Sequence, residues 1–314
     1  MKFSVAIPAY KAAYLKEAIE SVLSQSFPDW ELVIVDDFSP EDLESIVRRF
    51  GCDKRVRYYK NDSNVGAVDL VDNWNRCLTY CQGDYVICMG DDDRLSPLCL
   101  ESLDRLIERL PDFGVYHCRV EIIDEKGRTK EILSERPEIE SSLEMIHSRW
   151  AGRLQFIGDF CFNRSLLVSN GGFFKLPLGW GSDDITVYAA AKGDGKTIRD
   201  GIGNLNVPVF QYRSNPYTIS SSSNFALKMA AMKDYFEWFK NDLYHRVSST
   251  ADEALFIERL KVLAGDFYSK QAKYYIRQDV HSDWRKSVYW VSRFRNTGLS
   301  LGDVLYQSII GIIK

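Results

Sequence analysis

Short apolar runs alternate with helical patterns over the first 97 residues of the chain. Four runs are rich in residues that favour strands: 3–7, 31–35, 56–59 and 85–89. Apolar residues at helical spacing occupy the two intervals between the first three runs, at 14–25 and 43–50. This alternation predicts an α/β fold with a Rossmann-like, mostly parallel sheet flanked by helices. In such sheets, ligands bind beyond the carboxyl ends of the strands.

Polar residues and a short loop occupy these strand ends. They are Pro8, Ala9 and Tyr10 after the first run, Asp36 and Asp37 after the second, and Asp91, Asp92 and Asp93 after the fourth. Three adjacent carboxylates repel one another at a strand end unless a cation lies among them, and carboxylate oxygens suit Mg²⁺ or Mn²⁺. The acidic run is therefore compatible with a metal site that holds a diphosphate, and also with a plain acidic turn.

The glycine pattern excludes two common ways of binding phosphate. No G-x-G-x-x-G follows the first strand, and no G-x-x-x-x-G-K-[ST] occurs in the chain. If a nucleotide binds, side chains such as Tyr10 and Asp37 must contact its base and ribose, and a metal ion must take its phosphates.

The rest of the chain predicts a domain of about 222 residues followed by helices. Strand patterns cover 115–123, 129–133, 160–164 and 207–212, helical patterns cover 98–110 and 185–192, and 134–157 reads as irregular. The polar stretch 220–224 is the best candidate for a domain boundary. We therefore expect a main domain at 1–222 and a helical region at 223–314.

Composition and charge narrow the class of protein. The net charge of −4 argues against a nucleic-acid partner, because no basic field would collect phosphates. The 7 cysteines are scattered and lie mostly in apolar segments, which favours reduced thiols in a cytoplasmic protein. We expect no signal peptide at the N-terminus and no membrane-spanning helix, because no apolar run reaches about 18 residues.

The C-terminal residues 284–314 combine basic side chains with an apolar helical pattern. Such a segment can contact an anionic membrane surface, which here would be the inner face of the cell membrane. Alternatively, it packs on the main domain or on a second copy in a homodimer.

Several of these features together resemble a known family. They are the runs Val5-Ala-Ile-Pro-Ala-Tyr10, Ser24-Gln25-Ser26, Trp30-Glu-Leu-Val-Ile-Val-Asp-Asp37-Phe-Ser39 and Asn64-Val-Gly66, followed by the acidic strand end. Their order and spacing resemble glycosyltransferase family 2 over about residues 3–220. The resemblance implies a GT-A type fold, a nucleotide-diphosphate sugar donor that is UDP-linked, a divalent metal (Mn²⁺ or Mg²⁺) and inversion at the anomeric carbon. It implies a hydroxyl of a bacterial cell-surface glycan or lipid-linked glycan as the acceptor.

The resemblance makes 1–222 a catalytic domain, with a nucleotide-sugar half at about 1–97 and an acceptor half at about 98–222. It also implies roles for residues around the donor. Pro8, Ala9 and Tyr10 would flank the nucleoside, and Asp37 would hydrogen-bond the base. Asn64 and Gly66 belong to a segment that lies over the nucleotide and diphosphate.

The acidic motif differs from the family pattern, in which two aspartates are separated by one residue. When this chain is aligned with the family pattern at Pro97, Gly90 occupies the position of the first aspartate and Asp92 that of the second. Asp92 is therefore the leading metal ligand. Asp91 would contact the ribose or a metal-bound water, and Asp93 would support the site.

A second acidic pair, Asp183 and Asp184, begins the helical pattern at 185–192. Carboxylates in the first turn of a helix are favoured by its dipole. The resemblance instead makes the second acid the general base, which gives Asp184, with Asp183 as the alternative. Trp180 and Arg213 are weaker candidates for contact with the acceptor or the diphosphate, and Arg213 can equally be solvated or paired with an aspartate.

Two other functions use similar features. A sugar-phosphate nucleotidylyltransferase shares the sheet and the metal site, but it needs a glycine-rich basic loop that residues 9–16 do not provide. A phospho-acceptor signalling domain also has an acidic pocket, but it is far shorter and leaves the segment around Asp184 unexplained.

Overall fold

The computed structural model describes residues 1–66, 69–214, 224–248 and 250–313. The chain divides into two compact units. The first unit comprises Met1–Ile146, Leu154–Lys175 and Ser182–Pro216, and the second comprises His147–Arg153, Leu176–Gly181 and Tyr217–Lys314. The boundary predicted at residue 222 lies outside the described residues, as does most of the predicted 220–224 linker.

A mixed sheet of ten strands forms the centre of the first unit. The strands are β1 (Phe3–Ala9), β2 (Trp30–Asp36), β3 (Val56–Lys60), β4 (Tyr85–Cys88), β5 (Arg94–Leu95), β6 (Val115–Ile123), β7 (Thr129–Ile132), β8 (Ile139–Glu140), β9 (Phe160–Asn163) and β10 (Ile202–Arg213). Their order is β3-β2-β1-β4-β9-β6-β10-β5, with β7 beside β6 and β8 beside β10. β1 pairs in parallel with β2 and β4, and β2 pairs in parallel with β3. The predicted parallel start of the sheet is therefore confirmed, and β9 joins it antiparallel to β4 and β6.

The helices follow the predicted alternation. They are α1 (Leu15–Leu23), α2 (Leu43–Arg48), α3 (Leu70–Tyr80), α4 (Cys99–Arg109), α5 (Ser142–Trp150), α6 (Arg164–Ser169), α7 (Ser182–Ala191), α8 (Phe225–His245), α9 (Ala251–Ser282), α10 (Lys286–Ser292) and α11 (Leu301–Ile313). Side chains of α1, α2 and α4 share one apolar core with strands of the sheet.

Strand β2 shows why this sheet is covered on both faces. Leu32 and Ile34 belong to the core that contains α1, α2 and α4. Val33 and Val35 point to the opposite face, because side chains alternate along a strand, and they are also fully buried. A strand that is apolar on both faces is typical of a parallel sheet between two layers of helices.

The segment 134–157, predicted to be irregular, instead contains β8 and α5. Leu143 and Ile146 are spaced for one face of a helix and are buried. The start of α5 is held by Asp200, whose carboxylate accepts hydrogen bonds from the Ser142 amide at 2.8 Å and the Ser142 hydroxyl at 2.7 Å. The prediction was wrong because this stabilising partner is 58 residues away in the sequence.

Helices α8 to α11 form most of the second unit. Their apolar core includes Met232, Ile276 and Trp290. One face of α11 is buried at Val304 and Gly311, while side chains on the other face are exposed: Leu301, Leu305, Ile309, Ile312 and Ile313. Within the described residues, none of the helices has the length and apolar character needed to cross a membrane.

Candidate active site

The ends of β1, β2 and β4 are tied together by hydrogen bonds. Asp91, just after β4, accepts hydrogen bonds at 2.7 Å from the backbone amides of both Tyr10 and Lys11, which follow β1. The Ser39 hydroxyl, after β2, donates to the Tyr10 carbonyl at 2.6 Å. The Asp37 amide donates to the Ala9 carbonyl at 2.9 Å. The structure therefore brings together the three groups of polar residues that the sequence placed at strand ends.

The two acids that follow β2 have different surroundings. Asp36 is fully buried and has structural partners, since it accepts hydrogen bonds from the Ser39 amide at 2.8 Å and the Tyr58 hydroxyl at 2.6 Å. Burial and the Asp36 carboxylate raise the pKa of Tyr58. Asp36 thus fixes the loop and the neighbouring strand β3.

Asp37 holds the turn that contains Asn64 and Gly66. Its Oδ1 accepts hydrogen bonds from Asn61 Nδ2 at 2.7 Å and the Val65 amide at 2.9 Å, and its Oδ2 accepts one from the Gly66 amide at 2.6 Å. A Cβ atom on Gly66 would lie only 2.7 Å from Asp37 Oδ2, so a side chain there would displace the carboxylate. A carboxylate has about four acceptor sites, and these bonds leave one for a ligand.

The three acids after β4 point to different partners. Asp91 is bound to the amides after β1, whereas Asp93 Oδ1 accepts a hydrogen bond from the Arg213 amide at 2.9 Å. Asp92 lies half-buried between them. A Cβ atom on Gly90 would lie 2.9 Å from Asp93 Oδ2 and 3.0 Å from Asp92 Oδ1, so glycine leaves room for both carboxylates.

Burial and mutual repulsion make the charged forms of the acids in this loop costly. Burial raises the pKa of Asp91 to about 6; the amides of Lys11 and Tyr10 act in the opposite direction, and the charge of Asp92 adds to the increase. Burial, together with the charge of Asp92, also holds the pKa of Asp93 well above its usual value. A bound cation would relieve this cost.

The donor set fits Mg²⁺ or Mn²⁺. These ions prefer hard oxygen ligands, and Mg²⁺ commonly takes one or two protein carboxylates and completes its shell with water and phosphate oxygens. Asp92 and Asp93 could supply such carboxylates. Among the residues that the structure describes, no group of three or more His, Cys, Asp or Glu side chains is arranged to hold an ion.

Arg213 is buried and bonded within the protein. Its side chain is 1% exposed, and its Nε donates to the Asp92 carbonyl at 2.8 Å. Its Nη2 pairs with Glu17 at 2.8 Å, and its Nη1 donates to the carbonyls of Asp124 and Glu125. Most of its donors are therefore used inside the protein. These bonds make Arg213 a support for the acidic loop, and its contact with the diphosphate stays a prediction.

Asp184 lies in the first turn of α7 and is 3% exposed. Its Oδ1 accepts a hydrogen bond from Gln155 Nε2 at 2.8 Å, and Gln155 is itself 5% exposed. The neighbouring Asp183 is only partly buried. The fold therefore holds one member of the acidic pair in a fixed orientation and leaves the other more accessible.

Asp184 and the acidic loop belong to the same unit, the first. Within it, Phe156, next to Gln155, stacks on Tyr212 with ring centroids 3.7 Å apart. Burial, followed by the charges of Asp93 and Asp92, raises the pKa of Tyr212 to about 12.

Trp180 belongs to the second unit and is partly buried. Its ring packs edge-on against Tyr235 of α8, with centroids 5.3 Å apart. Tyr235 is fully buried and accepts a hydrogen bond from Trp150 Nε1 at 2.9 Å. The contacts of Trp180 in the structure are thus packing contacts, and a role toward the acceptor remains a prediction.

Sequence reasoning missed three amide side chains that position the site. Gln155 binds Asp184, and Asn61 binds Asp37. The Asn75 side chain makes two hydrogen bonds with the backbone of Phe173: it donates to the carbonyl at 2.9 Å and accepts from the amide at 2.8 Å. An isolated amide residue carries no periodic signal, so none of these roles could be read from a single sequence.

Known structures share this fold. The crystal structure of TarS residues 1–349 from S. aureus in complex with UDP-GlcNAc superposes with a TM-score of 0.63 at 17% identity, covering 98% of this chain and 91% of that chain. The UDP complex of the same protein gives a TM-score of 0.58 at 18% identity, over 99% of this chain and 89% of that one. At such identities the likeness shows the fold, which is GT-A.

The family follows from the sequence match. Residues 4–173 match the family model described as glycosyl transferase family 2. The chain belongs to this family.

Curated relatives match over the same part of the chain. The putative glycosyltransferase EpsE of Bacillus subtilis is 32% identical over 127 residues, which are 40% of this chain and 45% of EpsE. The putative teichuronic acid biosynthesis glycosyltransferase TuaG of Bacillus subtilis is 35% identical, over 34% of this chain and 42% of TuaG. The GalNAc(5)-diNAcBac-PP-undecaprenol beta-1,3-glucosyltransferase of Campylobacter jejuni is 32% identical, over 32% of this chain and 33% of that enzyme. The matches thus span less than half of each relative.

Proposed function

We propose that this protein is a glycosyltransferase that moves a sugar from a UDP-sugar to a hydroxyl group of a cell-surface glycan or lipid-linked glycan. The observation that carries the proposal is the pair of acidic groups in one unit: the loop Asp91–Asp93, bound to the end of β1, and Asp184, held by Gln155. The acidic loop suits a diphosphate that is bound through a metal ion, and Asp184 suits an acceptor hydroxyl that must lose a proton. The UDP-GlcNAc and UDP complexes of TarS, and the acceptor named for the Campylobacter relative, agree with these classes of donor and acceptor.

The hydrogen bonds of Asp37 support uracil as the base. Its carboxylate already accepts three hydrogen bonds, so about one acceptor site remains. Uracil presents a single imino N–H to such a site. Guanine presents two adjacent N–H groups and would need two acceptor sites side by side.

The acidic loop would hold the diphosphate through a divalent cation. Asp92 is the leading ligand, Asp93 a second carboxylate beside it, and Asp91 the group that binds the loop to the end of β1. A bound Mg²⁺ or Mn²⁺ stabilises the negative charge that builds up on a departing diphosphate. Pro8, Ala9 and Tyr10 would flank the nucleoside at this edge of the sheet.

In the proposed reaction, Asp184 acts as the general base. Its carboxylate takes the proton of the acceptor hydroxyl while the hydroxyl oxygen forms a bond to the anomeric carbon. The bond from that carbon to the diphosphate oxygen breaks in the same step, and UDP leaves. One in-line displacement inverts the anomeric centre, so no covalent intermediate on the enzyme is needed. Asp183 is the alternative base because it is the more accessible of the pair.

We also propose that the second unit lies against an anionic membrane surface. The exposed face of α11 carries Leu305 and Ile309, and the exposed Trp284, Arg293 and Arg295 precede this helix in the sequence. Apolar side chains that enter the headgroup region, next to arginines that attract anionic lipids, are typical of interfacial helices. This placement fits an acceptor carried on a lipid.

A thermal-shift titration tests the donor class. A ligand that binds only the folded protein raises the melting temperature by mass action. We expect UDP with Mn²⁺ to raise it more than UDP alone or GDP with Mn²⁺. No shift with any nucleotide would contradict the proposed function. A sugar-phosphate nucleotidylyltransferase would instead release pyrophosphate from a nucleoside triphosphate and a sugar phosphate.

A further inference from the structure

Phe38 has an unusual backbone conformation for a bulky residue. It follows Asp37 directly and has a φ of 54°, in the left-handed region that favours glycine. Its side chain is 52% exposed, so the ring does not gain full burial in return for the strain. Strained residues of this kind are concentrated at binding and catalytic sites.

The neighbouring hydrogen bonds enforce this conformation. Before Phe38, the Asp37 amide donates to the Ala9 carbonyl at 2.9 Å. After it, the Ser39 amide donates to Asp36 Oδ1 at 2.8 Å, and the Ser39 hydroxyl donates to the Tyr10 carbonyl at 2.6 Å. The backbone is thus fixed on both sides of Phe38.

The ring lies at the edge where the nucleotide is proposed to bind. Ala9 and Asp36 are paired in the parallel ladder of β1 and β2, so Tyr10 and Asp37 follow at neighbouring strand ends, about 4.8 Å apart across the sheet. Tyr10 is 39% exposed, which makes it a second accessible aromatic side chain at this edge. The ammonium of Lys60 lies 6.0 Å from the centre of the Phe38 ring and 3.5 Å from Asp36.

We propose that Phe38 provides a stacking face for the pyrimidine base of the donor, while Asp37 accepts a hydrogen bond from the edge of the same base. This inference rests on the proposed function and adds a specificity-determining residue to it. Phe38 and Asp37 are adjacent in the sequence. The Phe38 ring can therefore contact the face of a base while the remaining acceptor site of Asp37 binds an N–H group on the edge of the same base. Stacking of a base on an aromatic ring is a substantial contribution to affinity.

The test compares ligand binding with stability, because the two respond differently at this position. In Phe38→Gly the ring is lost and the backbone strain is relieved, in Phe38→Ala the ring is lost and the strain remains, and in Phe38→Tyr both are kept. By calorimetry with Mn²⁺, we expect the Kd for UDP to rise about 5- to 100-fold in the glycine and alanine variants and to stay within about twofold in the tyrosine variant. Without ligand, the melting temperature of Phe38→Gly should equal or exceed that of the natural protein.

Two controls separate stacking from other effects. Ribose 5-diphosphate lacks the base, so its Kd should be the same for the natural protein and Phe38→Gly. Tyr244→Ala removes an aromatic ring that is 75% exposed on α8 and should leave the Kd for UDP unchanged.

Three results would overturn the inference. The first is UDP binding by Phe38→Gly at the natural affinity. The second is an equal loss of affinity for UDP and ribose 5-diphosphate in Phe38→Gly, which would place the ring at the phosphates. The third is a failure of the natural protein to bind UDP. This result would also refute the proposed donor class, whereas the first two results would leave that class intact.

Discussion

Gln155 Nε2 donates a hydrogen bond to Asp184 Oδ1 over 2.8 Å, between two side chains that are both more than nine-tenths buried. Gln155 also lies 3.8 Å from the sulfur of Met145, and its neighbour Phe156 is stacked on Tyr212. The amide is therefore held in place by packing and can fix the orientation of the carboxylate. If Asp184 is the base, Gln155 is a positioning residue for the reaction.

Replacing Gln155 by alanine should reduce turnover more than donor binding. A misplaced base slows the chemical step, so we expect kcat to fall about 10- to 100-fold while KM for the UDP-sugar stays within about threefold. Steady-state measurement of released UDP checks this. Gln25→Ala is a matched control because Gln25 is also a buried glutamine, 8% exposed, and its Nε2 donates to the carbonyls of Ser21 and Ser96. It should lower stability without changing kcat, and equal effects of the two substitutions on kcat would contradict the positioning role.

Replacing Arg213 by alanine should destabilise the protein in the absence of any ligand. The change removes the arginine donors from the carbonyls of Asp92, Asp124 and Glu125 and removes one of the two arginine partners of Glu17, the other being Arg94. We expect the free energy of unfolding to fall by about 2–4 kcal/mol, measured by urea denaturation. Arg128→Ala removes an arginine that is exposed and paired with Asp124 and should change stability by less than about 0.5 kcal/mol. Unchanged stability in Arg213→Ala, with UDP binding lost, would instead support a phosphate contact.

Stability should depend on pH through Asp91. Its folded-state pKa, about 6, is above its unfolded value, so the folded protein favours the protonated acid. This contribution to stability is fully present below the unfolded pKa near 4 and is lost as the pH rises through about 6. Asp91→Asn keeps an oxygen acceptor for the Tyr10 and Lys11 amides and removes the charge. In metal-free buffer, we expect it to be more stable than the natural protein by about 1–3 kcal/mol at pH 7.5, and to lose this advantage at pH 4.5.

Asp194 provides a control of opposite sign for this pH experiment. The amides of Ile198 and Lys196 and the hydroxyl of Thr197 hold the pKa of Asp194 below its usual value. Its contribution to stability is therefore present above the unfolded pKa and is lost as the pH falls. Asp194→Asn should destabilise the protein at pH 7.5, and a stabilising effect of both substitutions would contradict the electrostatic account. Melting temperatures across pH 4.5–7.5 check both variants.

Binding to vesicles tests the proposed membrane contact. In co-sedimentation, the natural protein should bind vesicles that contain phosphatidylglycerol more strongly than vesicles of phosphatidylcholine alone, and salt should weaken the binding. Replacing Leu305 and Ile309 by serine removes apolar side chains from the exposed face of α11 and should reduce binding at least fivefold. Val262→Ser is the control, because this side chain is also exposed but lies on α9. The natural protein could instead dimerise with rising concentration and fail to bind vesicles. If the serine variant then does not dimerise, the exposed face of α11 is an interface with a second copy.

The strand ends could be predicted from the sequence because the cause is local. The apolar runs of β1 and β2 end at Pro8 and Asp36, and that of β4 is followed by Gly90 and Asp91. The period of the pattern shows which segments form the sheet. Parallel pairing then brings their carboxyl ends to one edge. The contact between Asp91 and Tyr10 follows from this topology, although the residues are 81 positions apart.

The partners of single side chains could not be predicted because they depend on tertiary packing. The buried guanidinium of Arg213 pairs with Glu17, which is 196 residues away and which no local pattern connects to it. Gln155 lies in a stretch without clear periodicity, so nothing in the sequence connects it to Asp184. The strain at Phe38 arises from hydrogen bonds on both sides of it, and a sequence pattern does not report a backbone angle.

The release of UDP from UDP-sugars by Asp184→Asn, compared with the natural protein and Asp183→Asn, tests the central claim most directly. Asparagine preserves the size of the side chain and removes its ability to accept a proton. We expect Asp184→Asn to bind UDP with Mn²⁺ within about twofold of the natural affinity and to release UDP at least about 100-fold more slowly, because general base catalysis typically contributes 10²- to 10⁴-fold. Turnover at the natural rate by Asp184→Asn would contradict the account.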